Sequence, residues 1–231
     1  MEQAGAFRHE LKYALSPGDE LALRRRMRAV IPHDAHAGPD GRYRIRCIYF
    51  DNIYDKALRE KIDGVQKREK FRIRYYNDDL SYIVLEKKIK YNALCQKLEA
   101  PLTQEECRSI LDGPAEWMLY HPSELVRELY CKLRCQQQLR PRVLASYVRE
   151  PFVCAAGNVR VTFDSEIRTT LFHKAFLEPE VWDISACDSP QDALLEVKYD
   201  AYLPDAITCA LQSGTFRQQA FSKYGACRRF G

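Results

Sequence analysis

The chain has 231 residues, of which 46% are hydrophobic and 29% charged, with a formal net charge of +4 at pH 7. This composition is typical of a globular protein, and the length favours a single domain over residues 1–231. No segment approaches the roughly 18 apolar residues of a membrane-spanning helix, and the N-terminus lacks the apolar stretch of a signal peptide. We therefore expect a cytoplasmic protein that does not span a membrane, with too small a charge for a dedicated DNA-binding protein.

The nine cysteines are irregularly spaced and include no C-x-x-C pair. Cys131 and Cys135 are four positions apart, but no second cysteine or histidine pair follows at the spacing of a zinc site. We therefore interpret the cysteines as reduced thiols that act as small core residues.

Alternation of apolar and polar residues is the dominant pattern and predicts β-strands. The predicted strands cover residues 7–15, 43–50, 67–76, 81–91, 142–153, 158–167 and 193–199. Asn77-Asp78-Asp79-Leu80 predicts a hairpin between the third and fourth strands, and Ala155-Ala156-Gly157 predicts another between the fifth and sixth.

Helices are predicted between these strands. Ser16 and Pro17 begin one that extends to about Ile31, and Thr103 with Glu106 has the spacing of a capping box. The predicted helices cover residues 17–31, a short segment ending near 64, 104–112, 122–138 and a segment starting at 203–204. No internal repeat interrupts the series, so the elements predict an α+β protein.

The polar faces of the strands carry long charged side chains. The strand over 67–76 places Arg68, Lys70, Arg72 and Arg74 on one face. The pairs Glu10/Lys12, Glu86/Lys88, Arg160/Asp164 and Glu196/Lys198 repeat this pattern on other strands. For any single strand, a solvated face with surface ion pairs would explain the charges.

The whole set of charged faces favours a closed antiparallel β-barrel with helices packed outside. With the charged face inward, such a barrel encloses a cationic bore that contains a few carboxylates. Unpaired charges there would cost several kcal/mol each unless water or a polyanion filled the bore. The pattern therefore predicts a polyanion with regularly spaced charges as ligand, and the carboxylates offer a hard site for Mg²⁺ or Mn²⁺.

Eight short motifs follow one another in an order that resembles a known family. They are RHELKY, IYFDN, FRIRYY, VLEKK, SYVREPF, VRVTFD, LLEVKYD and FSKYGAC. Together they resemble the VTC domain, the catalytic domain of the vacuolar transporter chaperone polyphosphate polymerases and of their stand-alone prokaryotic relatives. That family belongs to the CYTH, or triphosphate tunnel metalloenzyme, superfamily, and the resemblance covers residues 7–228.

The resemblance implies a tunnel barrel that binds ATP and inorganic polyphosphate or triphosphate, and it implies roles for individual residues. The catalytic, phosphate-binding bases would be Lys12, Arg72, Arg74, Lys88, Arg149, Arg160 and Lys223. Arg59 would also bind phosphate, on the resemblance alone, and Lys198 would join them mainly on strand parity. Glu196 would be the metal ligand, with Glu10, Glu86 and Asp164 as secondary candidates.

The implied reaction is metal-dependent transfer of the γ-phosphoryl group of ATP to a growing polyphosphate chain. The attacking phosphate oxygen is already anionic, which fits the lack of a Ser-His-Asp or Cys-His pattern in the sequence. The opening E-x-E-x-K signature of the superfamily appears here as Arg8-His9-Glu10-Leu11-Lys12. Loss of the first glutamate removes one metal ligand, which argues against a two-metal hydrolase and favours a polymerase.

Two alternatives stay open. A triphosphatase would keep the fold and let water attack in the same bore. A non-catalytic module for polyphosphate or RNA would gain nothing from a buried Glu196. Tyr75, Tyr76 and Tyr82 could stack on bases, although strand tyrosines more often pack within the sheet. Polymerases of this kind in eukaryotes are joined to membrane domains, so we expect docking on a separate membrane partner protein.

Overall fold

The computed structural model describes residues 7–92, 94–187, 193–212 and 218–230, and its main feature is one antiparallel nine-stranded sheet. The strands are β1 (Arg8–Leu15), β2 (Tyr43–Asp51), β3 (Lys67–Tyr76), β4 (Asp79–Tyr91), β5 (Leu94–Leu102), β6 (Arg140–Cys154), β7 (Val159–Thr170), β8 (Ile184–Ser185) and β9 (Ala193–Tyr199). The α-helices are α1 (Pro17–Val30), α2 (Lys56–Ile62), α3 (Gln104–Asp112), α4 (Glu124–Cys131), α5 (Asp205–Leu211) and α6 (Lys223–Cys227). Across these described ranges, no helix is both long and apolar enough to cross a membrane.

The sheet closes on itself. Its hydrogen-bonded order is β6-β2-β3-β4-β5-β1-β9-β7, and β7 pairs back onto β6, while β8 extends the sheet beside β7. Within the closed ring of strands, the shortest ladder joins β1 to β5 through Arg8 with Cys95 and His9 with Leu94. The predicted α+β class and closed antiparallel sheet are confirmed.

Helices cover the outer face of the barrel because the apolar residues of the strands point outward. On one side, α3 and α4 pack on β2 to β5 in a core that contains Phe71, Ile73 and Leu85. On the other, α1 and α5 pack on β1, β7 and β9 around Val161 and Leu195. Since side chains alternate along a strand, each residue between these apolar positions points into the barrel.

One end of the barrel interior is filled by α6. Tyr224 and Cys227 belong to a buried cluster with Tyr49, Val143 and Tyr147 from β2 and β6. The rings of Tyr49 and Tyr224 are 5.3 Å apart. The helix therefore packs against the inner wall of the barrel, and Ala57 of α2 belongs to the same cluster.

The structure confirms the predicted β3–β4 hairpin turn and the predicted capping box, and it shows that the turn is shorter than predicted. Asn77 and Asp78 have φ values of 50° and 57°, the left-handed conformation that a two-residue hairpin turn requires. Strand β4 consequently begins at Asp79, two positions before its predicted start. Thr103 and Glu106 form the capping box at the start of α3.

The predicted elements were incomplete. Strand β5 was not predicted, although Leu98, Ala100 and Leu102 alternate there with polar or proline positions. The short helix α6 was not predicted either. The helix predicted over 122–138 ends at Cys131 and continues as a π-helical turn over Lys132–Gln136.

A buried carboxylate connects α1 to the barrel. Glu150 on β6 has no exposed surface and lies 2.6 Å from Arg24 Nη1 and 2.9 Å from Arg28 Nη2, both on α1. The ring nitrogen Nε2 of His33 is 3.0 Å from the same carboxylate. Removing one member of such a set leaves a buried charge without its partner, which is costly.

We expect Glu150→Gln to lower the free energy of unfolding by about 2 kcal/mol, because it removes the buried carboxylate that Arg24 and Arg28 share and leaves buried Arg24 paired with Glu20 alone in the described structure. Urea unfolding at pH 7 measures this loss. Glu180→Gln, at an exposed position, is the control and should change stability by less than about 0.5 kcal/mol. Equal stabilities of the two variants would show that the buried ion pairs contribute nothing.

Candidate functional site

The barrel interior is lined by charged side chains that the strand parity directs inward. The residues that contribute are Glu10, Lys12, Lys70, Arg72, Arg74, Glu86, Lys88, Lys97, Glu99, Arg149, Asp164, Glu196 and Lys198, with Lys223 from α6. Three ion-pair groups connect these side chains across neighbouring strands. We call the interior space that these side chains enclose the tunnel.

The first group holds two carboxylates among three lysines. Lys12 Nζ lies 3.9 Å from Glu10 and 3.7 Å from Glu196. Lys198 Nζ is 2.6 Å from Glu196, and Lys88 Nζ is 2.6 Å from Glu10. The β1–β9 ladder sets this arrangement, because it places Lys12 opposite Glu196 and Glu10 opposite Lys198.

Both carboxylates of this group are buried, and their pKa values are set by opposing effects. Burial alone would raise the pKa of Glu196, but Lys198, Lys12 and Lys88 hold it well below its ordinary value. Burial and Glu196 raise the pKa of Glu10, and Lys88 with the other lysines more than compensates. Two negative charges therefore persist at neutral pH in a cation-rich setting.

The second group centres on Glu86, which is 1% exposed. Arg72 Nε and Arg74 Nη2 lie 2.5 and 2.6 Å from its two oxygens, and Lys97 is 3.2 Å away. Arg74 also contacts Glu99 at 3.0 Å. Burial would raise the pKa of Glu86, but the two arginines hold it well below its ordinary value. The carboxylate thus fixes both guanidinium groups in the tunnel wall.

The third group joins β6, β7 and α6. Arg149 donates to both oxygens of Asp164 at 2.6 and 2.8 Å, a bidentate contact that orients the guanidinium plane. Lys223 Nζ is 2.5 Å from the same carboxylate and 4.6 Å from the ring of Tyr147. The inward packing of α6 therefore brings Lys223, from the C-terminal segment, into the tunnel.

Lys70 differs from the other tunnel bases because it has no carboxylate partner among the described residues. Its Nζ bonds to Ser222 Oγ at 3.2 Å and lies 5.3 Å from the ring of Tyr224. Burial, together with the like charges of Lys12 and Lys88, lowers the pKa of Lys70 to about 7. The side chain is therefore the tunnel cation that an incoming anion would stabilise most directly.

Two predicted site residues lie apart from these groups. Arg59 is exposed on α2, and in the described part of the chain its side chain forms no ion pair or hydrogen bond with the tunnel. Arg160 is part-exposed and contacts Asp34 at 2.8 Å and the Tyr43 hydroxyl at 2.9 Å. It lies opposite Lys198 in the β7–β9 ladder, at the edge of the first group.

The other predicted bases, namely Lys12, Arg72, Arg74, Lys88, Arg149, Lys198 and Lys223, come together in the tunnel. Lys70 was predicted to lie on the charged face of its strand but was not among the predicted site residues. Lys97 and Glu99 were not predicted, because they lie on β5, which was not predicted either. The alternation of these two residues with Leu98 and Ala100 is the signal that could have found them.

The four predicted metal ligands separate into two kinds. Glu86 and Asp164 are each paired with arginine, whereas Glu10 and Glu196 share a setting of lysines only. No cluster of three or more histidine, cysteine or acidic side chains suited to a metal occurs within the described ranges. Glu10 and Glu196 are therefore the pair that could hold a cation together with ligand oxygens.

These residues fit a hard divalent cation. Mg²⁺ is commonly held by one or two carboxylates and completed by phosphate oxygens and water, which matches a site with two glutamates. Thr162 Oγ1, which lies opposite Glu196 in the β7–β9 ladder, is buried without a hydrogen-bond partner in the described structure. This hydroxyl is a further oxygen that such a site could use.

The charge of the tunnel suits a linear polyanion. Its bases outnumber its carboxylates, and each carboxylate already contacts more than one base. The surplus positive charge lies in a confined, largely buried space, where electrostatic attraction is stronger than at an open surface. The protein is thus of the class in which a closed antiparallel barrel encloses a tunnel lined by charged side chains.

Comparison with known proteins agrees with this class. The sequence profile of the VTC domain matches residues 7–230, so the chain belongs to the VTC domain family. No curated protein matches the chain by sequence.

Solved structures share the fold at low sequence identity. An adenylyl cyclase candidate from Hippeastrum with a dominant triphosphatase activity is 14% identical, covers 96% of each chain and gives a TM-score of 0.58. An adenylate cyclase candidate from Bacillus halodurans is 15% identical, with 89% of this chain and 86% of that chain covered and a TM-score of 0.51. A protein from Pyrococcus horikoshii is 12% identical, with 97% and 99% covered and a TM-score of 0.52.

The lowered pKa of Lys70 predicts a pH-dependent stability difference. Because the folded pKa is about 7 and the ordinary value is 10.5, the unfolded chain binds more protons between these pH values. The cost of burying the charge is therefore full below pH 7 and is relieved as the pH rises toward 10. We expect Lys70→Met to be more stable than the parent at pH 6, with a gap that narrows toward pH 10.

Urea unfolding at pH 6, 8 and 10 measures this gap. Lys67→Met, an exposed position on the same strand, is the matched control and should show a gap that does not vary with pH. A constant gap for Lys70→Met would show that the ammonium is not destabilised in the tunnel.

Proposed function

We propose that this chain is a polyphosphate polymerase that transfers the γ-phosphoryl group of ATP to a polyphosphate chain inside the tunnel. The observation that carries the proposal is the buried Glu10/Glu196 pair placed among Lys12, Lys88 and Lys198. A cation site flanked by phosphate-binding bases suits phosphoryl transfer between two anions. Membership of the VTC domain family supports the same reaction. We treat residues 7–230 as one catalytic unit.

The proposed reaction forms one P–O bond and breaks another. A terminal oxygen of the polyphosphate chain attacks the γ-phosphorus, and the bond to the β,γ-bridging oxygen breaks so that ADP leaves with that oxygen. The attacking oxygen is already anionic, so no general base is needed. The catalytic contribution of the protein is then alignment of the two anions and neutralisation of charge on the transferred group.

Two kinds of base would share this work. Arg72, Arg74 and Arg149 are fixed by carboxylates and can present their remaining N–H groups to phosphate oxygens in defined directions. Lys12, Lys88 and Lys198 supply mobile point charges near the reacting groups. A Mg²⁺ or Mn²⁺ ion held by Glu10 and Glu196 would, when bound, neutralise charge on the phosphate oxygens.

A triphosphatase is the second candidate. The fold is shared with the Hippeastrum protein that has a dominant triphosphatase activity, and the same tunnel would serve if water attacked the terminal phosphorus. A non-catalytic binding module is less consistent with the site, because two buried carboxylates weaken the binding of an anion unless a cation joins them.

Product analysis distinguishes the two enzymes. We expect purified protein with ATP and Mn²⁺ to form ADP and long-chain polyphosphate, resolved by length on a gel, with and without a short polyphosphate seed. Free phosphate without polymer would contradict the polymerase and support the triphosphatase. Absence of both products, with tight triphosphate binding, would support the binding module.

The proposed metal role of Glu196 predicts a variant that binds but does not turn over. Glu196→Gln keeps the size of the side chain and removes its charge, so we expect turnover to fall by about a hundredfold or more, since loss of metal-ion charge stabilisation costs several kcal/mol. Affinity for tripolyphosphate without metal should stay equal or rise, because a negative charge leaves the tunnel. Calorimetry and the product assay measure the two quantities.

The control for this variant is Glu105→Gln, an exposed position on α3 that should leave both quantities unchanged. Turnover of Glu196→Gln near the parent rate would contradict the metal assignment. A parallel loss of tripolyphosphate binding would indicate a structural role for Glu196.

A further inference from the structure

A group of tyrosines continues the tunnel lining beyond the arginines of β3. We call Tyr43, Tyr76 and Tyr82 the aromatic mouth. The rings of Tyr76 and Tyr82 are stacked at 6.4 Å with an interplanar angle of 23°. Tyr43 meets Tyr76 edge-on at 5.4 Å. The three rings come from the neighbouring strands β2, β3 and β4.

Strand parity places these rings on the tunnel side of the sheet. Tyr76 shares its face of β3 with Arg72 and Arg74, and Tyr82 shares its face of β4 with Glu86. Tyr75 has the opposite parity and packs in the outer core, as expected for a strand tyrosine. The aromatic mouth lies toward the β3–β4 turn, whereas α6 packs further along the interior, where Tyr224 meets Tyr49.

The phosphate-binding arginines directly adjoin the aromatic rings. The guanidinium carbon of Arg74 is 4.9 Å from the centre of the Tyr76 ring, and its Nη2 is 2.6 Å from Glu86. Tyr76 lies four positions after Arg72, which corresponds to about 13 Å along a strand. The tyrosine rings and the arginines thus follow one another along the strand in the same order as the nucleobase and the phosphates of a nucleoside triphosphate.

The exposure of Tyr82 points to a ligand rather than to packing. Tyr82 is 57% exposed although its neighbours on the same face of β4, Val84 and Glu86, are buried. Within the described chain, its hydroxyl has no hydrogen-bond partner. Burial raises the pKa of Tyr76 to about 12, so that its ring stays a neutral phenol. Two stacked rings, one of them open to solvent, form a surface on which a flat heterocycle can stack.

We propose that Tyr76 and Tyr82 form a stacking platform for the nucleobase of a nucleoside triphosphate whose phosphates extend into the tunnel. The proposal rests on the proposed function, and it adds how the site distinguishes a nucleotide from an inorganic phosphate chain. Stacking on tyrosine accepts any base, so the platform gives affinity for nucleotides with little selectivity among bases. An inorganic triphosphate has no group that reaches the platform.

Calorimetric titration with ATP and with inorganic tripolyphosphate, in the absence of metal, tests the platform. We expect Tyr82→Ala to weaken ATP binding about tenfold and to leave tripolyphosphate binding unchanged. Tyr82→Phe keeps the ring and should bind both ligands like the parent. Tyr91→Ala is the matched control, because Tyr91 is also exposed on β4 but has the opposite parity and lies at the other end of the strand.

The outcomes separate the two proposals. Unchanged ATP binding by Tyr82→Ala, or an equal loss for both ligands in a folded variant, would overturn the platform while leaving the tunnel as a triphosphate site. If the parent protein binds neither ligand, both the platform and the proposed function are overturned. Thermal unfolding followed by circular dichroism checks that each variant is folded.

Discussion

Closure of the sheet with its charged face inward is the constraint on which the rest of the molecule depends. In an open sheet, Arg72, Glu86 and Glu196 would face water, and their ion pairs would be worth little. Once β7 pairs with β6, the same residues enclose a narrow space. Each carboxylate must then have bases close by, and each base without a carboxylate, such as Lys70, is destabilised. The ion-pair groups and the surplus positive charge of the tunnel follow from this one geometric fact.

The carboxylates of the tunnel have two kinds of ion-pair partner, arginine and lysine, whose chemistry differs. Glu86 and Asp164 are held by planar, permanently charged guanidinium groups, which fix directions. Among the described residues, Glu10 and Glu196 form ion pairs only with lysines, whose ammonium groups are compact and move on flexible stems. The guanidinium groups are therefore held in fixed directions, whereas the lysine side chains around Glu10 and Glu196 are free to rearrange if a cation or a phosphate binds.

Local alternation was sufficient to predict most strands and the inward direction of Arg72, Arg74, Lys88 and Glu196, because the side-chain period of a strand is a local property. Which strands become neighbours depends on pairing between distant segments, so the grouping of Glu10 with Glu196 could not be derived. Lys223 entered the prediction only through family resemblance, since a five-residue helix that packs inside a barrel leaves no periodic signal. The hydrophobic alternation of β5 was present but weakened by Pro101, a residue usually excluded from strand interiors.

The position of β1 in the ring has a consequence for folding. This strand pairs with β5 and with β9, and the contact between Arg8 and Asp200 joins positions 192 apart in the chain. Contacts of such large sequence separation cost much chain entropy before they contribute stability, which makes folding slow. Until β9 is in place, β1 and β7 are open edges beside a row of charged side chains. Those charges disfavour pairing with a foreign strand, so the residues that line the tunnel also protect the unfinished barrel from aggregation.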